Sequence, residues 1–233
     1  MKIVITGGSR GIGKAIAEKF AGHHFDIAIC GRNIEKLTTL QSELLANFPN
    51  IKVYIYSCDM SLKEDVLNFA AFTLKHLGTP DVIINNAGVF IPGSVHLEED
   101  GILEQQINTN LYSAYYFTKA LLPEMIKRRS GQVFNICSIA SFKAYPNGGS
   151  YTISKFALLG FSKCLREEMK PYGIKVCSVM PGATLTDSWG QIDFSEQRLM
   201  APEDIAQSIF DIYQLSDRTV VEDIVLRPQL GDL

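Results

Sequence analysis

The sequence lacks the features that mark membrane proteins and nucleic-acid-binding proteins. No apolar run approaches the ~20 residues that a helix needs to cross a bilayer. The first six residues begin a short strand pattern and do not resemble a signal peptide. The net charge is −3, and the chain contains no long basic run, which argues against a nucleic-acid partner. These absences predict a cytoplasmic protein with no membrane contact and no nucleic-acid partner.

Cysteine and histidine are also scarce. The five cysteines are odd in number, and no two have Cys-x-x-Cys spacing. This pattern predicts reduced, mostly buried thiols in a reducing compartment. The four histidines show no spacing typical of metal ligands. We therefore predict no metal site.

What the chain does contain is a regular alternation of short apolar runs with longer helical patterns. Strands are predicted near residues 3–5, 26–30, 51–56, 81–85, 132–137, 174–180 and 220–226. The intervening helices include one with an expected capping box formed by Ser61 and Glu64. Such alternation indicates βαβ units and a mainly parallel sheet, and continuously apolar strands indicate helices on both faces. Because no linker interrupts the pattern, residues 1–233 are predicted to form one doubly wound α/β domain of Rossmann type.

A glycine-rich turn follows the first predicted strand and opens the first helix. Its sequence is Thr-Gly-Gly-Ser-Arg-Gly-Ile-Gly over residues 6–13. Glycines allow the backbone to turn tightly against a pyrophosphate, and the helix amino terminus supplies N–H donors. The spacing is neither Gly-x-Gly-x-x-Gly nor a P-loop. The residues expected to bind a dinucleotide here are Gly7, Ser9, Arg10, Gly11, Ile12 and Gly13.

The end of the second strand indicates which dinucleotide is bound. A carboxylate at this place would bind the ribose 2′-hydroxyl of NAD, but the chain has Arg32, and Arg10 lies in the glycine turn. Two guanidinium groups suit a 2′-phosphate, because each can form paired charge-assisted hydrogen bonds. We therefore favour NADP(H) over NAD(H).

Two further strand ends carry residues that suit the same ligand. Asp59 follows the third strand, where a carboxylate can accept a hydrogen bond from the adenine amino group. Asn86, Ala87 and Gly88 follow the fourth strand, and the two small residues leave room for a ligand. Each segment could equally be an ordinary turn.

A serine, a tyrosine and a lysine lie around the next strand end. Ser138 ends the fifth strand, and Tyr151 and Lys155 open the following helix. Residues four apart share a helix face, so we expect the phenol and the ammonium to point into the crevice at the strand ends. The positive charge should lower the tyrosine pKa and make it a good proton donor. From this stretch alone, an ordinary amphipathic helix is an equal alternative.

Taken together, these motifs resemble the short-chain dehydrogenase/reductase family over almost the whole chain. The matching segments are Thr6-Gly7-x-x-x-Gly11-x-Gly13, Asn85-Asn86-Ala87-Gly88, Asn110, Ser138, Tyr151-x-x-x-Lys155, and Pro181-Gly182 with Thr186. The resemblance implies a seven-stranded parallel sheet and an NAD(P)-dependent oxidoreductase that acts on a small-molecule carbonyl group. It also implies a homodimer or a homotetramer.

The family resemblance assigns a role to each of four catalytic positions. Tyr151 would protonate the carbonyl oxygen, and Lys155 would lower the tyrosine pKa and hold the nicotinamide ribose. Ser138 would position the substrate oxygen, and Asn110 would hold a water molecule that links Lys155 to solvent. The cofactor contacts after the sixth strand would come from Pro181, Gly182, Thr184 and Thr186, and a short substrate lid would follow at about 187–200.

The substrate is less closely defined by the sequence. Phe142, Tyr145 and Trp189 are the expected substrate contacts, and Phe90 and Ile91 could line the same pocket. A pocket of this apolar and aromatic character would suit an aromatic or heterocyclic ketone. The segments after residue 181 resemble bacterial sepiapterin reductases, whereas residues 147–151 and 160–163 equally resemble 3-oxoacyl-acyl-carrier-protein reductases. A ketone reductase with another substrate and a non-catalytic NADP(H)-binding regulator remain alternatives.

The helices around residues 103–127 and 150–170 are apolar on more than one face. Phe156, Leu158, Leu159, Phe161 and Leu165 cannot all contact one sheet. Because surplus apolar surface on a helix usually meets a partner, these helices are predicted to form a two-fold interface.

Overall fold

One parallel β-sheet forms the centre of the molecule. The computed structural model describes residues 1–186 and 198–231, and within them seven strands lie in the order β3-β2-β1-β4-β5-β6-β7, with every neighbouring pair parallel. The strands are β1 (Lys2–Ile5), β2 (Asp26–Gly31), β3 (Val53–Ser57), β4 (Val82–Asn85), β5 (Gly131–Ile136), β6 (Ile174–Pro181) and β7 (Asp223–Leu226). The predicted fold class is confirmed.

Helices cover both faces of the sheet. They are α1 (Gly11–Ala21), α2 (Ile34–Asn47), α3 (Lys63–His76), α4 (Ile102–Ile107), α5 (Ser113–Arg128), α6 (Gly149–Met169) and α7 (Pro202–Tyr213), with a π-helical turn, Asn108–Tyr112, between α4 and α5. One apolar core lies between the sheet and α1, α2 and α7. A second core lies between the sheet and α3, α5 and α6. The inner strands β1, β2, β4, β5 and β6 are therefore buried on both faces, as their continuous apolar runs predicted, whereas the edge strands β3 and β7 are partly exposed.

The sheet order reverses between β1 and β4, and this reversal locates the binding crevice. β1 pairs with β2 on one side and with β4 on the other. The connections from these two central strands therefore leave in opposite directions and open a cleft at the strand carboxyl ends. Thr6 joins the two strand ends, because its Oγ1 accepts the N–H groups of Asn86 and Ala87, each at 3.0 Å.

The predicted capping box at Ser61 is wrong. Helix α3 begins at Lys63 after Leu62, and no side chain caps it. Instead, Asp59 Oδ1 accepts the N–H of Ser61 at 2.9 Å, and Asp65 Oδ2 accepts the N–H of Asp59 at 2.8 Å. Two carboxylates therefore order this turn, and they hold Asp59 at the end of β3.

No disulfide links the five cysteines, all of which lie in the described residues. Cys30, Cys58, Cys137 and Cys177 are buried and Cys164 is exposed, all as free thiols. Over residues 1–186 and 198–231, no three histidine, cysteine, aspartate or glutamate side chains group as metal ligands would. In the same ranges, no helix has the length and apolarity that a membrane span requires.

Candidate active site

A cavity of about 730 Å³ opens at the carboxyl ends of the strands. It brings together most of the residues that the sequence singled out. The predicted residues that line it are Gly7, Ser9, Arg10, Gly11, Ile12, Arg32, Asp59, Asn86, Ala87, Gly88, Ser138, Tyr145, Tyr151, Lys155, Pro181, Gly182, Thr184 and Thr186.

Four predicted residues within the described ranges, Gly13, Ile91, Asn110 and Phe142, do not line the cavity. Gly13 lies beneath the glycine turn, and Asn110 is buried behind the cavity wall. Phe142 is 47% exposed and lies outside the lining, so the structure does not support it as a substrate contact. Trp189 and most of the expected lid, 187–200, lie outside the described residues.

The glycine turn is packed too closely for side chains at three of its positions, Gly7, Gly8 and Gly13. Gly7 has φ of 65°, and a Cβ there would lie 2.9 Å from Ala87 Cα. A Cβ on Gly13 would lie 2.6 Å from Asn86 Nδ2, which donates to the carbonyl oxygens of Thr6 and Gly7. The close fit leaves bare backbone beside the start of α1, where helix N–H groups favour an anion. These residues can therefore hold the pyrophosphate of a dinucleotide.

Arg10 and Arg32 line the same part of the cavity as Asp59. The three strand ends that carry them are adjacent, because β1, β2 and β3 are neighbours in the sheet. Two guanidinium groups give this end of the cavity a positive charge that suits a phosphate on the ribose.

Helix α6 carries Tyr151 and Lys155 into the other half of the cavity. Lys155 is only 5% exposed, and its Nζ donates to the carbonyl oxygen of Ile136 at 2.9 Å. The same Nζ lies 5.8 Å from the centre of the Tyr151 ring. Phe90 packs edge-on against that ring, with the ring centres 4.8 Å apart. The phenol and the ammonium therefore share one face of α6, as their spacing predicted.

Burial controls the pKa values of both groups. It raises the pKa of Tyr151, and a hydrogen bond with Ser138 opposes that rise without cancelling it. Burial lowers the pKa of Lys155 to about 8. Loss of solvation outweighs the opposing hydrogen bond at Tyr151, and the lowering of the tyrosine pKa by Lys155 together with a bound oxidised nicotinamide stays a prediction. At neutral pH Tyr151 keeps the proton that a donor needs.

Ser138 is fixed by the turn that follows β5. Its Oγ accepts the N–H of Ala140 at 3.1 Å, and its own N–H donates to Ser141 Oγ at 3.2 Å. This reciprocal pair caps a short 3₁₀ turn, Ile139–Ser141. The hydroxyl of Ser138 is therefore held in one orientation beside Tyr151.

Asn110 lies in the π-helical turn and clamps the segment after β4. Its Oδ1 accepts the N–H of Val89 at 2.7 Å, and its Nδ2 donates to the Val89 carbonyl at 3.0 Å and to Ser154 Oγ at 2.8 Å. A Cβ on Gly88 would lie 3.2 Å from Asn110 Oδ1 and 3.7 Å from Lys155 Nζ. Asn110 is thus adjacent to Lys155, and its role in a water relay stays a prediction.

Other lining residues were missed by the sequence reasoning. Near Tyr151, the predicted Tyr145 and Phe90 are joined by Gln105, Lys143 and Pro146. Burial, with the nearby Tyr151 as a smaller cause, raises the pKa of Tyr145 to about 12. Lys143 and Pro146 belong to the loop between Ser138 and Tyr151, so its place between two candidate catalytic residues was a usable signal. Gln105 precedes Asn110 by five residues and carries no comparable signal.

Comparisons with known proteins agree with this geometry. The family model described as short chain dehydrogenase matches residues 1–197. A protein named sepiapterin reductase from Chlorobaculum tepidum is 34% identical over 99% of this chain and 97% of its own length. The solved structure of an alcohol dehydrogenase from Thermococcus sibiricus, complexed with 5-hydroxy-NADP, superimposes with a TM-score of 0.92 at 26% identity, covering 100% of this chain and 98% of that one. A metagenomic short-chain oxidoreductase in complex with NADP gives a TM-score of 0.86 at 29% identity, covering 99% and 98% of the two chains.

Proposed function

From the premise that the chain belongs to the short-chain dehydrogenase/reductase family and is an NAD(P)-dependent oxidoreductase, we propose that it is an NADPH-dependent carbonyl reductase. The observation that carries this proposal is the position of Ser138, Tyr151 and Lys155 on one wall of the cavity. Beside them lies the glycine turn that can receive a dinucleotide. A cofactor and a carbonyl group can therefore meet at the phenol.

The roles of the three side chains follow from their chemistry. When bound, NADPH would supply a hydride from its nicotinamide to the carbonyl carbon. Tyr151, whose pKa is raised by burial, gives its proton to the carbonyl oxygen as negative charge develops there. Ser138 holds that oxygen within reach of the phenol. The ammonium of Lys155 stabilises the phenolate that remains.

The proposed cofactor contacts divide between the two halves of the cavity. Gly7, Ser9, Gly11 and Ile12 would hold the pyrophosphate, and Asp59 with residues 86–88 would hold the adenosine half. Pro181, Gly182, Thr184 and Thr186 would meet the nicotinamide half. Arg10 and Arg32 would bind a 2′-phosphate, which is the reason to prefer NADPH over NADH. The NADP and 5-hydroxy-NADP in the two similar structures support this preference.

For the substrate, we propose an aromatic or heterocyclic ketone of the kind that sepiapterin reductases reduce. Phe90 and Tyr145 offer aromatic surface beside Tyr151, and the relative from Chlorobaculum tepidum carries that name. An acyl-carrier substrate is less well supported, because the basic cluster at 127–129 is engaged within the chain. Lys127 pairs with Glu124 at 2.5 Å, and Arg128 pairs with Asp81 at 2.9 Å.

A panel of carbonyl compounds tests the proposal. Oxidation of NADPH and of NADH would be followed with pterin ketones, aromatic diketones and 3-oxoacyl thioesters. We expect turnover on the ketones and a higher kcat/KM with NADPH than with NADH. Turnover on thioesters alone would move the substrate assignment to acyl-carrier proteins. Tight NADPH binding with no turnover on any compound would support a non-catalytic regulator instead.

The setting in which the enzyme works is also proposed. We infer that it acts in the cytoplasm as a homodimer or homotetramer, independent of membranes and nucleic acids. Its ordinary balance of charges supports this setting.

A further inference from the structure

The amino terminus of α6 is held by a side chain from a distant part of the chain. The residue before the helix is Gly148, which has no side chain that could cap the helix. Instead, Glu98 Oε1 accepts the N–H of Ser150 at 2.9 Å, and Glu98 Oε2 accepts a short hydrogen bond from the hydroxyl of Ser150. A carboxylate is well suited to this place, because the first helix N–H groups lack intrahelical partners and the helix dipole favours negative charge.

The segment that carries Glu98 is fastened to the loop before α6. Gly93 and Gly148 form a parallel bridge, and the Gly93 N–H donates to the carbonyl oxygen of Asn147 at 3.0 Å. Ser94 Oγ donates to Asn147 Oδ1 at 2.9 Å. The two segments pack without empty space at this point. A Cβ on Gly149 would overlap the Glu98 carboxylate and lie 2.5 Å from the Gly93 carbonyl oxygen. The fit is therefore specific to Glu98 facing two glycines.

Tyr151 is the residue that directly follows this contact. Ser150 is 2% exposed and belongs to the first turn of α6, so its backbone fixes where the Tyr151 Cα lies. An error of about 1 Å in the placement of a reacting group can lower a rate by up to ~100-fold. The phenol must reach a carbonyl oxygen that Ser138 holds on a different element. The angle at which α6 starts therefore sets the geometry of proton transfer.

We propose that Glu98 is a positioning residue for Tyr151. It acts through the N–H and the hydroxyl of Ser150, and it does not touch the reacting atoms. The inference rests on the proposed function, because it assumes that Tyr151 is the proton donor. It assigns a task to a residue that none of the recognised motifs contains.

The test compares three variants at Glu98 with a neighbouring control. Glu98→Ala removes both contacts, and we expect kcat for the best ketone of the panel to fall by about 10-fold to 100-fold, with the dissociation constant for NADPH unchanged. Glu98→Gln should recover most of kcat, because its amide can accept from the N–H of Ser150 and donate to its hydroxyl. Glu98→Asp is too short to keep both contacts and should give an intermediate kcat. Glu99→Ala, at the exposed neighbour, should match the wild type.

Hydrogen exchange gives a second readout that does not depend on turnover. The peptide covering residues 147–155 should exchange faster in Glu98→Ala than in the wild type, and at wild-type rates in Glu98→Gln. If the wild type reduces no carbonyl, the proposed function fails, while the exchange data still decide whether Glu98 orders the start of α6.

Three results would overturn the inference. The first is a folded Glu98→Ala protein with wild-type kcat. The second is a loss of kcat matched by an equal loss of NADPH affinity, which indicates general damage to the fold. The third result applies if Glu98→Ala does not fold. In that case, equal kcat values for Glu98→Asp and Glu98→Gln would exclude a positioning role.

Discussion

Lys155 carries a charge that the fold disfavours. The side chain is 5% exposed, and burial lowers its pKa from the ordinary 10.5 to about 8. Between those two pH values the unfolded chain binds more protons than the folded protein does. Stability contributed by this group therefore rises as pH increases from about 8 towards 10.5, and below pH 8 the buried ammonium destabilises the fold.

Lys155→Met should therefore stabilise the protein while it abolishes turnover. At pH 7 we expect the free energy of unfolding to rise by about 1–3 kcal/mol, after allowing for the lost hydrogen bond to Ile136. At pH 10 the gain should shrink, because most of the wild-type lysine is then neutral. Urea unfolding of both proteins at the two pH values measures this. A variant less stable than the wild type at pH 7, or a gain that does not change with pH, would contradict the argument.

Tyr151→Phe should remove the proton donor and leave the cavity wall in place. The ring still packs against Phe90, so NADPH binding, followed by fluorescence titration, should not change. Turnover should fall by about 10²–10⁴-fold, the usual contribution of a positioned acid. The matched control is Tyr145→Phe, which removes a neighbouring hydroxyl from the same cavity and should alter KM more than kcat. Near-normal kcat in Tyr151→Phe would show that another group donates the proton.

At the scale of elements, the π-helical turn between α4 and α5 connects the segment after β4 with helix α6. Through Asn110, this turn holds both backbone polar groups of Val89 and the hydroxyl of Ser154. A π-helical turn is wider than a turn of α-helix. Here it places the Asn110 side chain between the segment after β4 and helix α6, next to Lys155. The turn therefore has a structural task that does not depend on any water relay.

Asn110→Ala should lower the free energy of unfolding by about 1–3 kcal/mol, because it leaves partly buried polar groups of Val89 without their partner. The control is Asn108→Ala in the same turn, which keeps the clamp and should cost much less. Denaturant unfolding of the two variants measures the difference. Equal stability of the two would mean that the clamp contributes nothing.

The elements that could be predicted from the sequence are those with a local pattern. Strand and helix alternation, the glycine turn and the spacing of Tyr151 and Lys155 all lie within a few consecutive residues, so periodicity and turn chemistry identify them. Ser61 shows the limit of such patterns. It fits a capping box, but Asp59 and Asp65 order the turn instead, and local spacing could not choose between them.

The parts of the site that escaped prediction depend on contacts between distant segments. Glu98 and Ser150 are separated by 52 residues. No local sequence pattern in either segment indicates that the two residues are in contact. The rise that burial causes in the pKa of Tyr151 was not predicted, for the same reason. A charge four residues away is visible in the sequence, but the burial that outweighs it arises only when the strands and α6 pack together.

At the scale of the whole molecule, one surface remains apolar after the core has formed. The sequence predicted surplus apolar residues on α6, and in the structure some of them are buried while others are exposed. Leu158 and Leu165 are buried in the core, whereas Phe156 is 45% exposed. The exposed apolar and aromatic side chains on α4, α6 and the π-helical turn with its continuation into α5 are Leu103, Tyr112, Tyr115, Ile153 and Phe156. A cluster of this kind on neighbouring helices is typical of a protein–protein interface.

We therefore expect light scattering of the wild type to give a mass of two or four times the 25.9 kDa of one chain. Phe156→Glu should shift the mass towards 25.9 kDa, because a charge buried at an interface without a partner is strongly unfavourable. Leu45→Glu is the matched control: Leu45 is 38% exposed on α2, across the sheet from α6, and its variant should keep the wild-type mass. A wild type that is monomeric at micromolar concentration would contradict the prediction. An oligomer that Phe156→Glu leaves intact would place the interface on a different surface from the one formed by α4, α5 and α6.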